Sequence, residues 1–392
     1  MKLVYINDEL ATGDGSNAHA LGMLSAFKEL LGESNVYSFP LPKDGSKDAA
    51  NIRNVVIRQK LKVVLQFVRY FRKKINSIKR SKAYIAEMES NGFIPTHVLA
   101  RSTVFDVTAN YVAKYFNAKL IYEINTPMYY EAGEIRKVPM ERQMEVWERK
   151  IIEESVYVYV VSKVCRDMLC EHYNINTDKF IVVPNGYMED LYTENDEERQ
   201  VIRDAIRKKE NIIDKFVITF VGSLKVWHGI QMFCEIAEKF QKDSKVHFLI
   251  IGDGEMRKEI VNYVQSHDNM TFMGKLDYQR MKQYLYASDL GLMPYNKQEN
   301  FYFSPLKMFD MIGAGLPFVG TRVAQIEDIV NEFFDANFLV ENNNPQLVIK
   351  RINNIVIDKE AYSSMEQKVI KNKELFTWKK RAQYLLEKIN RG

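Results

Sequence analysis

Tyr302-Phe303-Ser304-Pro305-Leu306-Lys307-Met308-Phe309-Asp310-Met-Ile-Gly-Ala-Gly-Leu-Pro-Phe-Val-Gly-Thr321 is the stretch whose reading decides the fold. Ser304 and Pro305 suit a helix start, because proline fits the first turn and leaves no N–H unpaired. The amphipathic run that follows reaches the acidic Asp310, the glycines at 313 and 315 stop it, and the apolar Pro-Phe-Val-Gly reads as a strand. Loop, helix start, stop and strand in this order suit a nucleoside diphosphate. Uncapped N–H groups and the helix dipole attract phosphate oxygens, Lys307 adds a full positive charge, and Asp310 can accept from ribose hydroxyls.

The same alternation runs along the chain. Residues 2–7 form a short apolar strand, followed by Thr12-Gly13-Asp14-Gly15 and a helical run over 18–31. Further apolar strands end in small or polar residues at 121–127 (IYEINTP), 158–163, 180–186 (FIVVPNG), 216–229 (FVITFVGSLKVWHG), 248–254 (FLIIGDG), 272–274 and 287–294. Helical segments at 230–240, 256–266 and 278–287 lie between them, so the class is α/β with parallel sheets. At 392 residues the chain exceeds one hydrophobic core, and two domains of roughly 180 residues each follow. The polar, charge-dense 189–214 puts the boundary after Gly186, giving domains over 1–186 and 187–370 and a terminal amphipathic helix over 371–392 that carries Trp378, Tyr384 and Leu385.

With 46% apolar and 27% charged residues the composition is that of a soluble globular protein. Cys165, Cys170 and Cys234 are odd in number and lack metal-type spacing, which reads as buried reduced thiols in the cytoplasm. Met1 leads directly into a strand with no signal segment, and no apolar run reaches the ~20 residues of a spanning helix. Residues 51–86 contain eleven Lys or Arg and no Asp or Glu. Leu61, Val64, Leu65, Val68, Phe71, Ile75 and Ile78 recur every three or four residues as an apolar stripe, with Lys62, Arg69, Lys73 and Arg80 grouped away from it. Such a basic amphipathic helix suits the surface of an anionic membrane. The competing reading packs the stripe on the first domain and leaves the basic face solvated. Nucleic acid is not expected as a partner, since the net charge is only +4 and no nucleic-acid module is present.

The 302–321 segment closely resembles the donor-site motif of retaining glycosyltransferases of family 4, and the resemblance continues in order from the first strand to about residue 330. It implies the GT-B fold, two Rossmann-like domains whose parallel sheets face an interdomain cleft, and a terminal helix crossing back to the first domain. It also implies an enzyme that moves a sugar from a nucleotide-diphosphate donor to a hydroxyl of a glycan or lipid-linked acceptor, with retention, without metal or other cofactor. The setting it implies is bacterial cell-surface polysaccharide synthesis, in the cytoplasm and peripheral on the membrane. Acceptor binding falls to the first domain and donor binding to the second.

Residue by residue, the resemblance assigns the donor site to Gly13, Gly15, Gly222, Ser223, His228, Gly252, Tyr302, Phe303, Ser304, Pro305, Leu306, Lys307 and Asp310. Asn125 stands where many members have a histidine, and with His19 it is the candidate for contacting the transferred sugar or orienting the acceptor. Lys225 is the first candidate for the charge on the departing diphosphate, and Lys307 the second. Departures are specific: Tyr302 and Asp310 occupy the places of two glutamates, and Ser223 and His228 those of an arginine and a lysine. The missing first glutamate keeps open a non-catalytic binding or scaffold subunit on the same fold. Base, sugar, acceptor and oligomeric state have no sequence signal.

Overall fold

A computed structural model describes residues 1–11, 17–40, 59–135, 140–341 and 344–391. By internal packing the chain divides into one unit of Met1–Pro184 with Arg381–Gly392 and another of Asn185–Lys380.

The first unit runs β1 (Leu3–Ile6), α1 (Ala18–Leu31), β2 (Val36–Phe39), α2 (Gln59–Ser90), β3 (His97–Arg101), α3 (Thr108–Phe116), β4 (Lys119–Ile124), the single turn α4 (Met128–Tyr130), α5 (Glu141–Glu154), β5 (Tyr157–Val160), α6 (Lys163–Tyr173) and β6 (Phe180–Val182). Its strands pair in the order β2-β1-β3-β4-β5-β6, all parallel. Runs such as Leu-Val-Tyr-Ile in β1 are buried throughout, as strands covered on both faces must be. Glu123 interrupts the apolar run of β4 and is fully buried.

The second unit runs α7 (Asp196–Lys209), β7 (Phe216–Val221), α8 (Ile230–Lys239), β8 (Val246–Ile251), α9 (Arg257–Val264), β9 (Met270–Gly274), α10 (Tyr278–Ala287), β10 (Leu290–Met293), α11 (Leu306–Gly313), β11 (Phe318–Thr321), α12 (Ala324–Phe333), β12 (Leu339–Val340), α13 (Pro345–Ile357) and α14 (Lys359–Asn372). Strands pair β12-β11-β10-β7-β8-β9, again all parallel, which is the Rossmann strand order. In such sheets ligands sit beyond the carboxyl ends of the strands where the order reverses. That point lies between β1 and β3 in the first unit and between β7 and β10 in the second.

Two boundaries differ from the sequence reading. The division falls after Pro184 rather than Gly186, because Asn185 binds into the second unit: its backbone N–H donates to Ser304 Oγ at 2.9 Å and its Nδ2 to the Ser304 carbonyl at 2.7 Å. The terminal helix α15 (Trp378–Arg391) begins at Trp378 rather than at 371, since α14 stops at Asn372 and Thr377 Oγ1 accepts from the Lys380 N–H at 3.2 Å to start the new helix. All three cysteines are buried and unbonded.

Helix α2 turns the described outer part of its stripe to solvent, against the reading that packs the stripe on the first domain. Among its described side chains Ser77, Ser81 and Met88 are the buried ones, and the Tyr84 ring stacks on Phe39. Small serines let α2 approach the start of α3 closely, with Ser77 Oγ accepting from the Val107 N–H at 3.3 Å. Arg80 faces inward, pairing with Asp106 and, at 3.1 Å, with Asp8. Val68, Phe71 and Ile75 are instead 47%, 58% and 52% exposed. Arg80 therefore belongs to the packed side, not to a solvated basic face. Residues 51–58 and the side chains of Leu61, Lys62, Val64, Leu65 and Arg69 lie outside the described residues.

Candidate functional site

In the second unit the reversal point brings together the loop after β7 and the segment leading into α11. Gly222 and Gly252, with φ of +135° and +148°, allow the loops after β7 and β8 to touch. A Cβ on Gly252 would fall 1.8 Å from the Gly222 carbonyl oxygen. Pro305 precedes the first turn of α11, and Leu306 and Lys307 begin it.

Lys307 is the outstanding side chain of this site. It is 7% exposed, and its Nζ has no hydrogen-bond partner among the described residues. The ammonium lies over the rings of Phe220 at 4.3 Å and Tyr295 at 4.9 Å. Its end stands 3.0 Å from where a Gly222 Cβ would be, close against that glycine. Burial pushes its pKa down to about 7. A cation held in this way, with nothing to neutralise it, is set for an anion at the Gly222 backbone. Lys225, the first choice from sequence, is exposed and lies over the Trp227 ring at 5.7 Å.

His228, which stands where the family has a lysine, is turned into its own loop. Nδ1 meets the Ser223 carbonyl at 2.6 Å, so it carries the proton and donates, and Ser223 Oγ is 3.4 Å away. Burial, then the charge of Lys307, pushes its pKa down to about 3, which keeps the ring neutral and leaves Nε2 an acceptor. Its role is to hold the loop. Trp227 stacks on Phe303 at 4.8 Å, and the Tyr302 ring lies tilted against Phe303 at 4.1 Å. Tyr302 is 2% exposed, packed rather than presented. Asp310 is half-buried, with Tyr192 Oη 3.5 Å from its carboxylate, and burial pushes its pKa up to about 7.

In the first unit the reversal point holds a polar cluster. Glu123 Oε1 is 3.0 Å from His19 Nε2 and accepts from Asn125 Nδ2 at 2.7 Å, with Arg101 Nη1 at 3.5 Å. Arg101 also pairs with Glu9 at 2.7 Å. Burial alone would raise the Glu123 pKa, but the charge and hydrogen bond of His19, then Arg101 and Asn125, outweigh it and bring it down to about 2. The carboxylate thereby fixes the Asn125 amide, whose Oδ1 is buried and has no donor among the described residues. Sequence reasoning had His19 and Asn125; it missed Arg101, whose only signal was a charge at the end of an otherwise apolar strand. Gly13 and Gly15 lie outside the described residues.

No group of His, Cys, Asp and Glu suited to a metal ion occurs among the described residues. No described helix is long and apolar enough to cross a membrane.

Residues 215–358 match the family of glycosyl transferases group 1. An uncharacterized glycosyltransferase of Methanocaldococcus jannaschii is 23% identical over 52% of this chain and 57% of its own length. The putative teichuronic acid biosynthesis glycosyltransferase TuaH of Bacillus subtilis is 28% identical over 37% of this chain and 35% of its own. The chain thus spans about half the length, or less, of these curated relatives. Among solved structures, HepE of Anabaena in complex with UDP superposes with a TM-score of 0.67 at 13% identity, covering 100% of both chains. With two parallel Rossmann-like sheets and this superposition over the whole chain, the protein has the GT-B fold, and its residues 215–358 are similar to the glycosyl transferases group 1.

Proposed function

We propose that the chain is a retaining glycosyltransferase that moves a sugar from a nucleoside-diphosphate donor to a hydroxyl of a glycan or lipid-linked acceptor, without a metal ion. The observation that carries this is Lys307, a buried cation with no hydrogen-bond partner, set against the Gly222 backbone at the start of α11. In the reaction the acceptor oxygen bonds to the anomeric carbon as the bond from that carbon to the β-phosphate oxygen breaks. Negative charge then grows on the diphosphate, where Lys307, Lys225 and backbone N–H groups would stabilise it. The hydroxyl proton passes to the departing phosphate on the same face, so no separate base is called for, and retention follows from the family-4 resemblance of 302–321. Asn125 Oδ1, held by Glu123, suits a sugar hydroxyl donor.

HepE's complexes with UDP and UDP-glucose support the donor class. The name of TuaH supports a role in a cell-surface polysaccharide. We place the chain in the cytoplasm against an anionic membrane surface, docked by the outward apolar residues of α2. The packed Tyr302, where a carboxylate is usual, favours one other reading, a binding subunit without turnover.

Thermal-shift titration with UDP, GDP, dTDP, CMP and ADP and their common sugar conjugates tests the donor site, because a ligand that binds the folded state raises its stability. One nucleoside diphosphate should raise the Tm, and its sugar conjugate should be turned over to a product with the donor's anomeric configuration by proton NMR, in EDTA as in buffer. Binding without turnover in the presence of acceptor would leave the subunit reading; no shift with any nucleotide would refute both.

A further inference from the structure

An open groove of about 950 Å3 runs along the first unit between α2, α3 and α5. Phe105, Leu120 and Ile151 form a buried apolar floor, while Tyr111, Val146 and Val156 are 45%, 63% and 43% exposed on its rim. Lys74, Lys114, Arg142 and Lys150 also line it. Against them stands a single carboxylate among the lining residues, Glu154, already occupied by Asn110 Nδ2 at 2.6 Å and Lys150 at 3.6 Å. The groove is thus apolar below and net cationic above. In its wall Trp147 is 8% exposed, and its Nε1–H has no acceptor among the described residues. A buried indole N–H without a partner is costly and rare.

Ring contacts join the groove to the outward face of α2. Phe71 meets Tyr70 at 5.2 Å, Tyr70 meets Phe105 at 4.2 Å, and Phe105 meets Trp147 at 6.2 Å. Apolar surface therefore continues from Val68, Phe71 and Ile75 into the groove.

We infer that this groove takes a hydrocarbon chain of an anionic membrane lipid, with the lipid's phosphate on the basic rim and one of its ester or phosphate oxygens accepting from Trp147. A small soluble anion would leave the apolar floor wet. The apolar face of a partner helix would bring no acceptor to the indole. A lipid supplies chain, acceptor and negative charge together, and aromatic rings with lysines around them suit the depth of the headgroups. The volume lies at the upper end of the roughly 300–1,000 Å3 of ligand pockets, enough for an extended chain. This inference rests on the membrane placement proposed above and is independent of sugar transfer.

The test uses the full chain and vesicles of phosphatidylcholine with or without phosphatidylglycerol, the acyl chains carrying bromine, which quenches tryptophan on contact. Trp147, Trp227 and Trp378 are the three tryptophans, so the quenching lost in Trp147→Phe belongs to the groove. Quenching of Trp147 by phosphatidylglycerol vesicles is expected. Val146→Glu, at an exposed site that does not threaten folding, should abolish it even if Trp147→Phe fails to fold. Lys114→Glu and Arg142→Glu should each weaken vesicle binding roughly fivefold or more. Vesicle binding without Trp147 quenching would overturn the groove and leave the α2 docking in place. No binding to phosphatidylglycerol vesicles would overturn both. A dimer in solution that Val146→Glu dissociates would overturn it in favour of a second copy of the chain.

Discussion

Replacing Lys307 by methionine should make the ligand-free chain more stable and remove its response to nucleotide. The lysine is 7% exposed with an unpaired Nζ, and burial brings its pKa from 10.5 down to about 7. Unfolded, it returns to its ordinary value. Between about pH 7 and 10.5 the unfolded chain therefore holds more protons at this site than the folded one, and the site's contribution to stability rises with pH across that window. At about 1.4 kcal/mol per pH unit, the cost of the buried lysine has a ceiling of about 5 kcal/mol at pH 7 and about 2 kcal/mol at pH 9. Methionine keeps the length of the stem and places sulfur beside the Phe220 and Tyr295 rings, a favourable contact. Recovering half the ceiling would raise the Tm by roughly 5–10 °C for a domain of ~200 residues. Scanning calorimetry of wild type and Lys307→Met at pH 7 and pH 9, with and without the nucleotide found by titration, reads all of this. The gain should be larger at pH 7 than at pH 9, and the variant should show no nucleotide-induced shift. A variant less stable than wild type at both pH values, or one that still responds to the nucleotide, would refute the reasoning.

Asp310→Ala should weaken nucleotide binding while the chain stays folded, and an unchanged dissociation constant by calorimetry would remove Asp310 from the site. The raised Asp310 pKa also means that its contribution to stability falls as pH rises from about 3.8 to about 7, so Asp310→Asn should gain stability over wild type at pH 8 but not at pH 3.5 in urea unfolding. Glu123 has the opposite sign: its stabilisation is present above about 4.5 and is lost as pH falls toward about 2. Glu123→Gln should accordingly cost about 3 kcal/mol at pH 7 and little at pH 2, and an equal loss at both would show the carboxylate charge to be irrelevant. Gly252→Ala should cost on the order of 3 kcal/mol, from a φ of +148° and a Cβ 1.8 Å from the Gly222 oxygen, and a variant as stable as wild type would contradict the loop contact.

The features legible in the sequence share one property: their signal is local. Apolar runs that end in glycine or asparagine mark strands, and Ser304-Pro305 marks the start of α11, because turn chemistry and helix entry depend on adjacent residues. The orientation of α2 was not legible for the converse reason. Periodicity shows that a helix has two faces, but which one meets the body depends on Asp8 and Asp106, tens of residues from Arg80 in either direction. Two inward carboxylates and a pair of serines outweigh the apolar stripe. The same limit applies to Lys225 and Lys307. Both are lysines near a glycine loop, and only the pairing of β7 with β10 decides that Lys307 is the one folded under Gly222.

The two reversal points also differ in how their buried charge is balanced, and that difference bears on which unit answers to ligand. Glu123 is engaged by His19, Arg101 and Asn125, so the first unit holds this charge at no net penalty. Lys307 has two aromatic faces and no anion. An anion arriving at Gly222 would restore the lysine's ordinary pKa and return the stability its burial removes, so binding draws on a strain already present in the empty site. Nucleotide should for this reason raise the unfolding temperature of the second unit more than that of the first, and the increment should shrink toward pH 9, where less of the penalty remains to be relieved.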